Sequence, residues 1–325
     1  MLAVLIGKLC LGLLVLAFSA DRFVLGCVTI AQHRHWSPLL VGSVLMGVAT
    51  TIPEILVSVM ALMHGHIGIS LGNALGSYIT NIGLVLGICA LVQPLKINAN
   101  LFKQELPILT STLLLTIILL LDRYLGKLDA IILLMVLIGL IVFVIRVFRQ
   151  EKNQACYAYL QDQTLPIPLI YGLLWFIVGL VALLWSSSIL VNSASALASW
   201  LGVGDLVIGL TIVAVGTSLP EMVTSIMCVR RGQYDMAFGN VIGSNVLGIL
   251  AVVALPGLFA PGMIDANIVW RDCTAMLLIT ILMWVFAYNG GTKQAVISRL
   301  EGGVLFLFFL SYLMLVVIQS QPIKA

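Results

Sequence analysis

Two hexapeptides set a proline beside a carboxylate inside long apolar runs: "ATTIPE" at 49–54 and "GTSLPE" at 216–221. Each offers oxygen and little else. Glu54 and Glu221 bring carboxylates, and Thr50, Thr51, Thr217 and Ser218 bring hydroxyls. Pro53 and Pro220 lack an N–H and clash with the turn before them, so backbone carbonyls near 49–50 and 216–217 are expected to be released. No sulfur or imidazole joins them. Hard oxygen donors suit hard cations: calcium takes about 6–8 such ligands in flexible geometry. Two carboxylates neutralise its charge, and sodium uses the same oxygens.

The surroundings make these glutamates unusual. Of 325 residues, 61% are hydrophobic and only 9% charged, with a mean hydropathy of +1.16. A soluble domain has no use for so much apolar surface, so the bilayer is the expected solvent. Ten segments are long and apolar enough to span it, roughly 1–18, 38–63, 70–92, 105–122, 128–148, 167–191, 205–229, 236–260, 271–288 and 302–319. Glu54 and Glu221 are the only carboxylates expected deep in any span, each about 5 Å past the middle of its helix. A charge there costs roughly 2.5–3.5 kcal/mol on insertion scales, which marks it as functional. The bland alternative, a packing kink with a glutamate bonded to a neighbouring helix, explains one such element better than two symmetric ones.

The two elements belong to a repeat. An offset of 167 positions makes 15 of 48 residues identical between 47–94 and 214–261, including Pro53, Glu54, Ser58, Gly65, Asn73 and Ser77. Each copy has five spans, an odd number, so the second enters the membrane from the opposite side. Inverted repeats are a device of secondary transporters, which bind cargo near the midplane where the copies meet. The expected fold is an all-α integral membrane protein of ten transmembrane helices in two inverted five-helix repeats. The first covers 1–148 and the second 167–325, with a polar linker at 149–166. "AFSA" at 17–20 resembles a signal cleavage site, but no cation precedes the apolar run, so the first span is expected to be retained.

The span after each Pro-Glu element carries "GNALGSYITN" (72–81) or "GNVIGSNVLG" (239–248). Gly72 with Gly76, and Gly239 with Gly243, are small-xxx-small pairs that let helices approach. They do not account for the polar residues between them. Ser77, Ser244 and Asn81 are candidate ion contacts. Asn73, Asn240 and Asn245 are secondary candidates, since an asparagine also serves to bridge helices.

With these residues in view, the chain resembles the cation/calcium antiporter superfamily, and within it the prokaryotic sodium/calcium exchanger family, from "SADRFV" at 19–24 through both "PE" and "GNxxGS" elements. The resemblance implies exchange of calcium for sodium by alternating access. It implies that Glu54 and Glu221 are shared carboxylates for both ions and that Thr50 and Thr217 complete the calcium site. Thr51, Ser77, Ser218 and Ser244 would form flanking sodium sites with the carbonyls of Gly47 and Ala214, and Asn81 would lie at the centre. One departure stands out: Gly248 aligns with Asn81, where the family has asparagine or aspartate, and glycine offers no side-chain oxygen. Asn245, one turn earlier, is positioned to compensate.

Protons, potassium or manganese remain alternatives to these ions, and a passive cation pore is the rival from another class. An enzyme is not expected, because no histidine falls in a span and no nucleophile motif accompanies the glutamates. No resident cofactor and no nucleic-acid partner are expected; the partners are small cations and the lipid bilayer, with the chain functional as a monomer. Eleven of the sixteen Lys and Arg residues fall in or beside the loops after odd-numbered spans. The positive-inside rule makes that face cytoplasmic and puts both termini outside, and the compact design with the family resemblance points to a bacterial inner membrane.

Overall fold

The computed structural model describes residues 2–34, 36–150, 167–200, 214–287 and 294–320. Long apolar runs give long helices, even across Pro107: α1 (Leu2–Arg34), α4 (Ala99–Leu120), α5 (Lys127–Gln150), α6 (Leu169–Trp200) and α10 (Arg299–Ser320). The spans that carry the motifs are interrupted. The second has a π-helical turn at Val41–Met46, a short helix Gly47–Thr50, and then α2 (Ile52–Met63). The third is α3 (Ile67–Thr80), which runs through a π-helical turn at Asn81–Leu86. In the second half, Ala214–Thr217 precedes α7 (Leu219–Arg230), α8 (Tyr234–Leu247) runs into a π-helical turn at Gly248–Val252, and α9 is Thr274–Ala287.

Nine helices among the described residues are long and apolar enough to cross a membrane. The expected seventh span, 205–229, lies outside the described residues up to 213, as does the linker from 151 to 166. The loops supply the parity. Strand β1 (Leu95–Asn98), after the third span, pairs antiparallel with β4 (Gln294–Ile297), after the ninth. Strand β2 (Tyr124–Leu125), after the fourth, pairs with β3 (Gly262–Met263), after the eighth. Paired loops share a face, so an even number of crossings separates the fourth loop from the eighth. That count requires a crossing between α6 and α8, which is where α7 stands. The two ribbons are also related by the repeat: each joins the loop after one half's third span to the loop after the other half's fourth.

The centre of the bundle is the pair of spans carrying the "GNxxGS" elements. Their apolar windows are 83% and 78% buried, against 11% for α5. Lipid-facing Leu128, Met135 and Ile138 explain the difference on α5. The approach of the central helices depends on glycine: a Cβ on Gly243 would collide with the Ser43 carbonyl of the second span. On the periphery α1 and α6 lie against each other. A Cβ on Gly26 would meet the Phe176 nitrogen at 2.5 Å, one on Gly179 the Phe23 nitrogen at 2.6 Å, and the Phe23 and Phe176 rings pack at 5.3 Å.

The offset of 167 is legible in the backbone as well. Gly65 and Gly232 end α2 and α7 with φ of +79° and +71°, and only glycine adopts that region without a steric penalty. The next residues, His66 and Gln233, each close the turn with a 2.8 Å bond to the carbonyl five residues back.

Candidate functional site

At each Pro-Glu element the helix is interrupted at a single residue: Thr51 (φ −76°, ψ −6°) and Ser218 (φ −88°, ψ 4°) lie between two helical segments, and a new helix starts at the next residue. Pro53 and Pro220 thereby fall in the first turn of α2 and α7. A missing N–H is harmless there, because first-turn N–H groups have no intrahelical partner. Glu54 and Glu221 follow in the same first turn, at the positive end of the helix dipole. Because the halves are inverted, both of these helix N-termini are interior to the bundle.

Glu54 is 3% exposed and Glu221 0%, and none of their four carboxylate oxygens has a hydrogen-bond partner. The two carboxylates lie near enough to feel each other's charge. Ser77 Oγ, Asn81 Oδ1 and Ser218 Oγ are likewise buried and unpartnered. Unsatisfied buried oxygen costs about 1–3 kcal/mol per group, more when charged. Unpartnered oxygens of this kind suit a cation, not a polar network complete in itself; of their residues Glu54, Ser77 and Asn81 line one cavity, and Glu221 and Ser218 are not part of its lining.

Thr51, Glu54, Ser77, Asn81, Ser244 and Asn245 line one cavity, with Ala74, Tyr78, Gly248 and Val252. Its volume, about 10 Å³, admits one water-sized occupant and is far below the roughly 300–1,000 Å³ of organic-ligand pockets. Asn81 Nδ2 donates to Asn245 Oδ1 at 3.1 Å and to Ser244 Oγ at 3.4 Å, which joins the third and eighth spans. Ser244 Oγ donates to the Asn240 carbonyl at 2.8 Å.

The first asparagines bridge helices. Asn73 Nδ2 donates to the Glu54 carbonyl at 3.0 Å and to Ser58 Oγ at 3.1 Å, while its Oδ1 accepts from Thr217 at 3.2 Å. Asn240 repeats the arrangement, donating to the Glu221 carbonyl at 3.4 Å and Ser225 Oγ at 3.0 Å and accepting from Thr50 at 3.3 Å. Thr50 also donates to the Met46 carbonyl at 3.0 Å and lies beside the Glu221 carboxylate. The Gly47 carbonyl accepts both the Thr51 N–H, at 3.1 Å, and the Thr51 hydroxyl, at 2.7 Å. A cation drawing on that carbonyl has to turn the hydroxyl proton away, which leaves the hydroxyl oxygen free to join it. Ala214 starts the short helix in which the Val215 carbonyl accepts the Ser218 N–H at 3.2 Å.

Three contributors escaped the motif reading. Ser58 and Ser225 were visible as repeat-identical positions, and they anchor the asparagines. Ser187 of α6 donates to the Gly216 carbonyl at 3.2 Å. Its repeat partner is Ala20, so the offset gave no signal for it.

Comparison with known proteins agrees with this geometry. The chain matches the family described as sodium/calcium exchanger protein over residues 4–146 and 171–318. It is 37% identical to the putative antiporter CaxA of Alkalimonas amylolytica, over 93% of this chain and 95% of that one. It is 34% identical to the inner membrane protein YrbG of Escherichia coli K12, over 86% and 88%. The fold superposes on the sodium-calcium exchanger NCX_Mj, solved after soaking with sodium and calcium, with a TM-score of 0.79, 31% identity and coverage of 98% and 99%. The inverted halves, the two broken helices and the paired carboxylates thus occur in a chain that belongs to the sodium/calcium exchanger protein family.

Proposed function

We propose that this protein is a secondary antiporter that exchanges calcium for sodium at the Glu54–Glu221 cluster. The observation that carries the reading is the pair of repeat-related, buried carboxylates with four unpartnered oxygens, set at helix breaks inside a membrane bundle. Thr50 and Thr217 complete the calcium site, and Thr51, Ser77, Ser218, Ser244, Asn81 and the Gly47 and Ala214 carbonyls serve the sodium ions. The name of NCX_Mj, a sodium-calcium exchanger, supports the same ions, and that of CaxA, a putative antiporter, supports the same kind of transport.

The chemistry explains why transport would be exchange and not leak. Without a cation the carboxylates repel each other in a poorly solvated interior, and carrying bare charge across is costly. Calcium or sodium removes that penalty, and the two loads compete for the same oxygens. Only loaded states then change their exposure, so each inward step of one ion requires an outward step of the other.

The moving part is the α1–α6 pair, sliding or rocking over the remaining eight spans; the ten spans together form the two five-helix halves 1–148 and 167–325, joined through 149–166. Its glycine-lined contact makes α1 and α6 a single unit. The protein works as a monomer in a bacterial inner membrane, with both termini outside the cytoplasm. The cation distribution and the likeness to an inner membrane protein support that placement.

Uptake of radioactive calcium into proteoliposomes loaded with sodium tests the proposal. Uptake that requires internal sodium, saturates, and vanishes in both Glu54→Gln and Glu221→Gln is expected. Calcium flux that runs without any ion on the opposite side would overturn exchange in favour of a pore.

A further inference from the structure

The repeat offset pairs Asn81 with Gly248, and both line the same cavity. Asn81 turns Oδ1 into buried space where no partner meets it. At the symmetric position there is no side chain. Packing does not demand this glycine: a Cβ built on Gly248 meets no heavy atom within 4 Å, in contrast to Gly243, five residues earlier, where it would collide with the Ser43 carbonyl. Backbone geometry does not demand it either, since Gly248 is an ordinary helical residue at φ −56° and ψ −48°. Asn245 does not restore the lost symmetry. Its Oδ1 already accepts from Asn81 and its Nδ2 donates to the Tyr78 carbonyl at 3.4 Å.

We propose that Gly248 sets the counter-ion selectivity of this carrier: it widens the centre of the cluster and withholds one oxygen donor, so that potassium can replace sodium beside Glu54. The inference rests on the exchange reading above and narrows it. Sodium is the smaller and more strongly hydrated ion, and a site selects it by surrounding it closely with donors that offset its dehydration. Cavity size, donor number and donor field strength are the terms that separate the two ions. Here Glu54, Ser77 and Asn81 present unpartnered oxygens from the first half, while the wall at Gly248 and Val252 presents none from a side chain. A larger ion that dehydrates more cheaply loses least from that omission, so discrimination against potassium falls.

The test compares calcium uptake into proteoliposomes loaded with sodium, potassium or choline, with a protonophore present to collapse any membrane potential. Wild type is expected to take up calcium against either sodium or potassium but not choline. Gly248→Asn, which restores the repeat, is expected to lower potassium-driven relative to sodium-driven uptake by about tenfold, the factor that about 1.4 kcal/mol gives. Gly248→Ala, whose methyl has room, is expected to move the ratio the same way by less, so the question stays open to test even if the asparagine variant does not fold. Wild-type uptake driven by sodium and not by potassium would overturn the inference and leave the exchanger intact. An unchanged ratio in the two variants would overturn it as well. No uptake with either ion would overturn the exchange reading itself.

Discussion

Asn73 Oδ1 accepts the Thr217 hydroxyl at 3.2 Å, so a side chain of the first half holds the broken helix of the second. The repeat returns the favour through Asn240 and Thr50 at 3.3 Å. Each asparagine also donates to the backbone carbonyl of its own half's glutamate. The four residues lace the two Pro-Glu elements together across the pseudo-symmetry axis, and this fixes the separation of the carboxylates without touching them. Single interhelical polar contacts in membranes average about 0.6 kcal/mol and reach about 1.7, but these four act on one geometry.

Asn73→Asp and Asn240→Asp distinguish a bridge from a ligand. Aspartate keeps the acceptor and loses the amide donor, leaving a buried carbonyl and a serine hydroxyl without their partner at about 1–3 kcal/mol. Thermal unfolding is expected to report that loss, and the KM for calcium to rise about tenfold or more. A lower KM in either variant would show that the side chain contacts calcium directly.

Glu54 and Glu221 make a prediction about stability as well as flux. Calcium binds only the folded chain, so at a hundred times its Kd it stabilises wild type by about 2.7 kcal/mol. Glu54→Gln and Glu221→Gln are expected to lose this calcium-dependent rise in Tm. In calcium-free buffer they should be as stable as wild type or more so, because each removes one of two repelling charges from the interior. A variant that still gains the full shift with calcium would exclude that carboxylate from the site.

Gly243 and Gly248 lie five residues apart in one span and predict opposite responses to alanine. At Gly243 the new methyl collides with the Ser43 backbone, and neither element moves without disturbing the cavity. Destabilisation of about 1–3 kcal/mol with loss of uptake is expected. Gly248→Ala should leave Tm unchanged. Equal behaviour of the two variants in a thermal melt would contradict the packing described here.

These residues also show what a sequence makes legible. Anything built twice can be read by sliding the chain along itself: the Pro-Glu elements, the serines at 77 and 244, and the left-handed Gly65 and Gly232, retained in both copies because the turn admits nothing else. The interruptions at Thr51 and Ser218 were not legible, because a proline in the first turn of a new helix and one inside a bent helix have the same local sequence. The engagement of the Gly47 carbonyl by Thr51 was hidden for a related reason, since the hydroxyl reaches back one turn only when the backbone stops there. Contacts present in one half alone left no trace at all. Ser187 is of this kind, and so is the ion pair between α1 and α7.

That ion pair carries the last prediction. Arg231, at the end of α7, binds Asp21 of α1 through both Nε, at 3.1 Å, and Nη2. Arg22 approaches the other Asp21 oxygen at 3.3 Å and lies over the Phe18 and Trp175 rings at 5.2 and 5.3 Å. The repeat partners of Asp21 and Arg231 are Ser188 and His64, so the opposite face has no equivalent clasp. The pair therefore ties α1, a member of the proposed moving unit, to the fixed bundle at the face that carries the loops after odd-numbered spans. Its side chains are 29% exposed, and about 1 kcal/mol is a reasonable worth for such a pair, enough to shift a two-state population about fivefold. Asp21→Asn is expected to favour the state in which α1 has left α7. Cys228 of α7, fully buried in this structure, reads that departure in a chain whose other cysteines are serine: maleimide labelling from that face should speed up about fivefold. The exchanged pair Asp21→Arg with Arg231→Asp should bring the rate back toward wild type. Labelling that stays slow in Asp21→Asn would show that the pair does not restrain α1.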